Sequence, residues 1–100
     1  FNATRISLRH YGMSERAYEF NVAAAKIARA VADDFTKREP HKPRFVVGAC
    51  GPTNMMCSFG DANIMASFDE FHRAYVEQVE GLVDGGADVI LFETSQDILA

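Results

Sequence analysis

Two uninterrupted apolar runs mark the chain, Phe45 to Cys50 (FVVGAC) and Val89 to Phe92 (VILF). Each breaks at its carboxyl end into a polar cluster, Gly51-Pro52-Thr53-Asn54 and Glu93-Thr94-Ser95-Gln96-Asp97. A strand buried on both faces reads as such a run, and in parallel sheets the residues just past a strand end face the ligand site. Elsewhere the period is helical. From about Glu15 to Thr36, the residues Phe20, Ala24, Ile27, Ala28, Val31 and Phe35 recur on one face, which Ala23-Ala24-Ala25 keeps smooth enough to pack on a sheet. Ser14 is the expected N-cap of this helix, and Lys37 and Arg38 fall where cations favour a helix C-terminus. Pro40 and Pro43 forbid helix, so Glu39 to Pro43 reads as a short connection into the first strand.

A second helix opens at Ser67-Phe68-Asp69-Glu70, where Ser67 and Glu70 have capping-box spacing. It continues through Phe71, Tyr75, Val79 and Leu82 and closes at Gly85-Gly86, where a left-handed residue needs no Cβ. Helix, strand, helix, strand, with one more strand end at Phe1-Asn2-Ala3, predicts an α/β chain of repeated βα units with right-handed crossovers. The connection from Gly51 to Ala66 is long and polar with interspersed Met, whereas only Ala87 and Asp88 separate the glycines from the second strand. Long loops at strand ends and short ones at strand starts put the working face on the carboxyl side. Periodicity does not separate a slice of a closed barrel from an open doubly wound sheet. The absence of GxGxxG and GxxxxGK[ST] weighs against a nucleotide-binding open sheet.

At 100 residues, 48% hydrophobic and 24% charged, the chain reads as ordinary soluble globular material and at most one small domain. Its abrupt start and end read as a slice of a longer polypeptide. The net charge of -4 argues against a nucleic-acid partner, and no window approaches a membrane span. Cys50 and Cys57 fit neither a disulfide framework nor a zinc spacing, which points to a reducing, cytoplasmic compartment with Cys50 as a small buried hydrophobe. His10, His41 and His72 are scattered and read as surface or packing residues. Arg5, Arg9, His10 and Arg16, interspersed with Glu15 and Glu19, read as a solvated face. Met55, Met56, Phe59 and Met65 give the long loop a soft apolar character that suits either docking of a neighbouring module or burial under its own domain.

The strand ends are more specific. Phe1-Asn2-Ala3-Thr4, the helix segment Asn21 to Arg29, the run Lys42 to Gly48 leading to Gly51-Pro52-Thr53-Asn54, and Gly85-Gly86-Ala87-Asp88 leading to Phe92-Glu93-Thr94, taken in order, resemble the homocysteine-binding domain of cobalamin-dependent methionine synthases. The resemblance covers essentially the whole chain. It implies a partial (β/α)8 TIM barrel of about two to three βα units, running from the second strand end to the start of the fourth helix, with residues 1–100 lying in a single barrel domain. It further implies zinc-assisted activation of the homocysteine thiol and methyl transfer from methylcobalamin. A thiol bound to a divalent cation is deprotonated at neutral pH. The family's zinc-binding cysteines come from later strands, so zinc and cobalamin belong to the complete enzyme, and neither Cys50 nor Cys57 inherits a metal role. Implied partners are homocysteine and the folate- and cobalamin-binding modules.

Four side chains are candidate substrate contacts. Glu93 matches an acidic strand-end position of the family and suits the amino group of homocysteine, or else accepts loop amides. Asp97 shares that work or favours a helix N-terminus. Asn2 and Asn54 end their strands with amides that donate and accept, suited to an amino-acid carboxylate or a neighbouring loop. Gly51 and Pro52 shape the turn. The alternatives are a stand-alone homocysteine methyltransferase using a betaine or sulfonium donor, and a non-catalytic slice retained as scaffold. A corrinoid carrier is disfavoured because no His has the Asp of a DxHxxG loop two residues before it.

Overall fold

The structure, a computed structural model, describes residues 1–57 and 65–98. Phe59 and the expected helix start at Leu99-Ala100 lie outside the described residues. A one-turn helix α1 (Arg5–Leu8) is capped by the Thr4 hydroxyl, which accepts the Ser7 N–H at 3.1 Å. It leads through two single 3₁₀ turns into α2 (Ala17–Arg38), followed by strand β1 (Val47–Cys50), helix α3 (Phe68–Asp84) and strand β2 (Val89–Phe92). The strands pair in parallel, Val47 with Val89 through Cys50 with Phe92, across the α3 crossover.

Several boundaries differ from the sequence reading for local reasons. Helix α2 starts at Ala17, with Arg16 in the cap position, and Ser14 instead donates its hydroxyl to the Arg5 carbonyl at 3.0 Å, tying the turn to α1. Strand β1 starts two residues late. Val46 spends its N–H on the Asp88 carboxylate (2.8 Å), and Phe45 is 70% exposed. At the end of α3 the two glycines serve different needs. Gly86 takes a positive φ of 108°, while Gly85 is right-handed and is required by proximity, since a Cβ there would stand 2.5 Å from the Val22 carbonyl oxygen. The capping box forms as expected: Ser67 accepts the Glu70 N–H, and the Glu70 carboxylate accepts the Ser67 N–H at 2.8 Å.

The packed face of α2 is rotated from the expected stripe. Ala17, Asn21, Ala25 and Ala32 are buried, whereas Ala24, Ile27, Ala28, Val31 and Phe35 are exposed, Ile27 at 70%. Small residues let α2 approach α3 closely at Gly81 and Gly85, and that contact wins over the bulkier stripe. Two core clusters result. Ala25, Cys50 and Leu82 join the helix pair to β1, and Ile6, Phe71, Ala74 and Ala66 close the α1 end. The apolar strands are covered on one face only. Strand alternation turns Gly48, Cys50, Ile90 and Phe92 toward the helices and Val47, Ala49, Val89 and Leu91 away from them. Val47, Val89 and Leu91 are accordingly exposed.

Gln78 is fully buried on α3, and neither amide atom has a hydrogen-bond partner among the described residues. At the amino ends of the strands, Asp88 accepts both the Val46 N–H and the Arg29 guanidinium (2.6 Å). Its carboxyl is thereby held below the usual range, chiefly by the Val46 amide and then by Arg29.

Candidate functional site at the strand ends

The parallel register fixes which residues meet at the carboxyl end. The β1–β2 ladder continues one step past the strands, where Glu93 N–H donates to the Cys50 carbonyl at 3.0 Å. On the other edge of β1, Gly51 N–H donates to the Phe1 carbonyl at 3.3 Å. The ends of β1 and β2 therefore lie side by side, with Phe1 held next to Gly51; residues 1–3, expected to end a strand, form no strand. Asn21 supports that opening segment from α2, its amide donating to the Ala3 carbonyl at 2.8 Å and to the Ala17 carbonyl at 2.7 Å.

Asn2 and Asn54 line one groove of about 500 Å³ together with Ser7, His10, Tyr11 and Thr53. His10, read from the sequence as a surface or packing residue, is exposed but borders this groove, its ring edge-on to Tyr11 at 5.2 Å. Thr53 shapes the loop, its hydroxyl accepting the Met55 N–H and donating to the Met55 carbonyl, both at 3.1 Å. Glu93 stands one strand over. The alternation that turns Phe92 toward α3 carries Glu93 to the uncovered face of the sheet with Leu91. Its carboxylate is half-buried with no ion pair among the described residues. The next residue, Thr94, has φ of 59°, a left-handed conformation uncommon for a β-branched side chain and typical of constrained functional turns.

Asp97 sits apart from Asn2 and Asn54 across the β1 loop. Its carboxylate accepts the Cys57 N–H at 2.8 Å, so it ties the segment after β2 to the loop after β1. Between them is a small cleft of about 50 Å³ bordered by Pro52, Met55, Met56, Tyr75 and Ser95. The sequence reading placed Tyr75 only in a helix face; here its hydroxyl donates to the Gly51 carbonyl at 2.8 Å. Its signal in the sequence was weak, a tyrosine among phenylalanines on one apolar stripe.

Zinc does not fit these residues. Among the described residues no three His, Cys, Asp or Glu side chains come together to hold a metal. Cys50 is buried, and desolvation pushes its thiol up, away from the thiolate a metal requires. No helix is long and apolar enough to cross a membrane among the described residues.

Two parallel strands joined by a helical crossover define an α/β protein built from βα units. The profile of the homocysteine S-methyltransferase family matches residues 1–100, and the chain belongs to that family. Its fold is accordingly a partial (β/α)8 barrel of two to three βα units, and the family chemistry is methylation of homocysteine.

Proposed function

We propose that residues 1–100 are a segment of the single homocysteine-binding barrel domain of a methionine synthase, and that their strand mouth holds the amino-acid end of homocysteine. The observation that supports this reading is that Asn2 and Asn54 line one groove beside the end of β1, while Glu93 follows β2, the strand paired in parallel with β1. A half-buried carboxylate with no cation paired to it among the described residues is costly, and the substrate ammonium supplies a partner. Asn2 and Asn54 offer amide donors to the substrate carboxylate. Asp97, with its hold on the Cys57 amide, enters this reading as support for the loop and as a contact to the ammonium from the far side. The sulfur then points away from these residues, and the groups that deprotonate it lie outside them. The complete enzyme is expected to hold zinc and to take the methyl group from methylcobalamin, in the cytoplasm, with folate- and cobalamin-binding modules as partners.

The test is methionine formation by the full-length protein from homocysteine, with methylcobalamin, a betaine or a sulfonium compound supplied as donor in parallel. Turnover with methylcobalamin alone supports the reading, and turnover only with another donor replaces it with the cobalamin-independent alternative. Glu93→Gln should raise the homocysteine KM about tenfold, the worth of a charge-assisted hydrogen bond, with zinc content unaltered. An unchanged KM returns Glu93 to a role within the loop.

A further inference from the structure

Gly51 is the hinge between the β1 ladder and the loop that carries Asn54, and each of its groups is taken. Its N–H goes to the Phe1 carbonyl and its own carbonyl accepts the Tyr75 hydroxyl at 2.8 Å. The place of a Cβ is filled by the Phe1 ring, 2.5 Å away. The same Tyr75 ring meets Phe92 edge-on with centroids 5.7 Å apart, one residue before Glu93. One side chain from the middle of α3 thus reaches the carboxyl ends of both strands. Burial raises the phenol above its ordinary value, which keeps it a hydrogen-bond donor through the neutral range.

We propose that Tyr75 is a positioning residue for homocysteine. By holding the Gly51 carbonyl it sets the direction in which Pro52-Thr53-Asn54 leaves β1, and by packing on Phe92 it sets the strand end from which Glu93 departs. The proposal rests on the homocysteine reading above. Filling space alone would need only a ring, so the hydroxyl is the part that distinguishes positioning from packing.

Tyr75→Phe in the full-length protein isolates that hydroxyl, because the ring contact with Phe92 remains. One lost hydrogen bond corresponds to about a fivefold rise in the homocysteine KM, with kcat changed by less than about twofold. Amide exchange at Met55 and Cys57, followed by hydrogen–deuterium exchange, should quicken about fivefold as the loop loosens. Unchanged exchange overturns the proposal whatever the kinetics. Faster exchange with unchanged KM also overturns it, while leaving the homocysteine reading intact. A wild-type protein that makes no methionine from homocysteine with any donor refutes that reading instead, and with it any role of Tyr75 in binding homocysteine.

Discussion

Gln78 is the residue whose environment contradicts its chemistry most directly, an amide wholly enclosed with no partner for either polar atom among the described residues. Enclosed amides of this kind cost on the order of 1–3 kcal/mol. Gln78→Met keeps the length and removes the cost, and chemical denaturation of the full-length variant should show a gain of about 1–2 kcal/mol. Asp88 gives the opposite case, a carboxylate whose two partners lower its pKa. A depressed folded-state value contributes stability above the unfolded value near 4, and that contribution disappears as pH falls through the folded value. Asp88→Ala should therefore melt below wild type at pH 7, and the gap should narrow as pH falls below the unfolded value near 4; a gap independent of pH assigns the loss to packing alone.

Among the elements, the α2–α3 contact is the tightest. A Cβ at Gly81 would lie 2.8 Å from the Asn21 Cβ, and one at Gly85 2.6 Å from the Ala25 Cβ. Gly85→Ala must push the helices apart and should cost about 1–3 kcal/mol, read as a lower denaturant midpoint. This contact also explains what the sequence conceals. Both strands, the capping box of α3 and the placing of Asn54 and Glu93 after the strands are legible in apolar runs and caps, because those signals are local, whereas the strand end expected at Asn2 forms no strand. The packed face of α2 is not, since its apolar arc is wide enough for two contacts and only the glycines on α3 decide between them. Helix α1, one turn held by the Thr4 cap, is too short to leave a period. Tyr75 and Asn21 act through backbone carbonyls of distant segments, and no spacing along the chain reveals such partners.

As a whole the molecule is thin, 52 × 26 × 17 Å, with a radius of gyration of 15.3 Å against about 13 Å for a compact domain of this length. Its accessible surface of 6523 Å² also exceeds the roughly 5,700 Å² expected of a compact monomer of its mass. Large apolar side chains lie exposed on it: the Ile27–Val31–Phe35 stripe beside Phe45, the Val89–Leu91 face, and a groove of about 390 Å³ between α3 and β2 lined by Phe68, Val76, Val79 and Phe92. Residues 1–100 expressed alone should self-associate, bind a hydrophobic dye and catalyse no methyl transfer. A monodisperse, cooperatively and reversibly melting species with no dye binding in sedimentation and calorimetry contradicts this.

The Asp88 carboxylate that accepts the Val46 amide comes 42 positions later in the chain. On a translating ribosome adding about 5–20 residues each second, Val46 waits roughly two to eight seconds before its acceptor is even synthesised. Through that interval the FVVGAC segment lacks the β2 strand that will pair with one of its edges, and this is when a cotranslational chaperone has most reason to hold it.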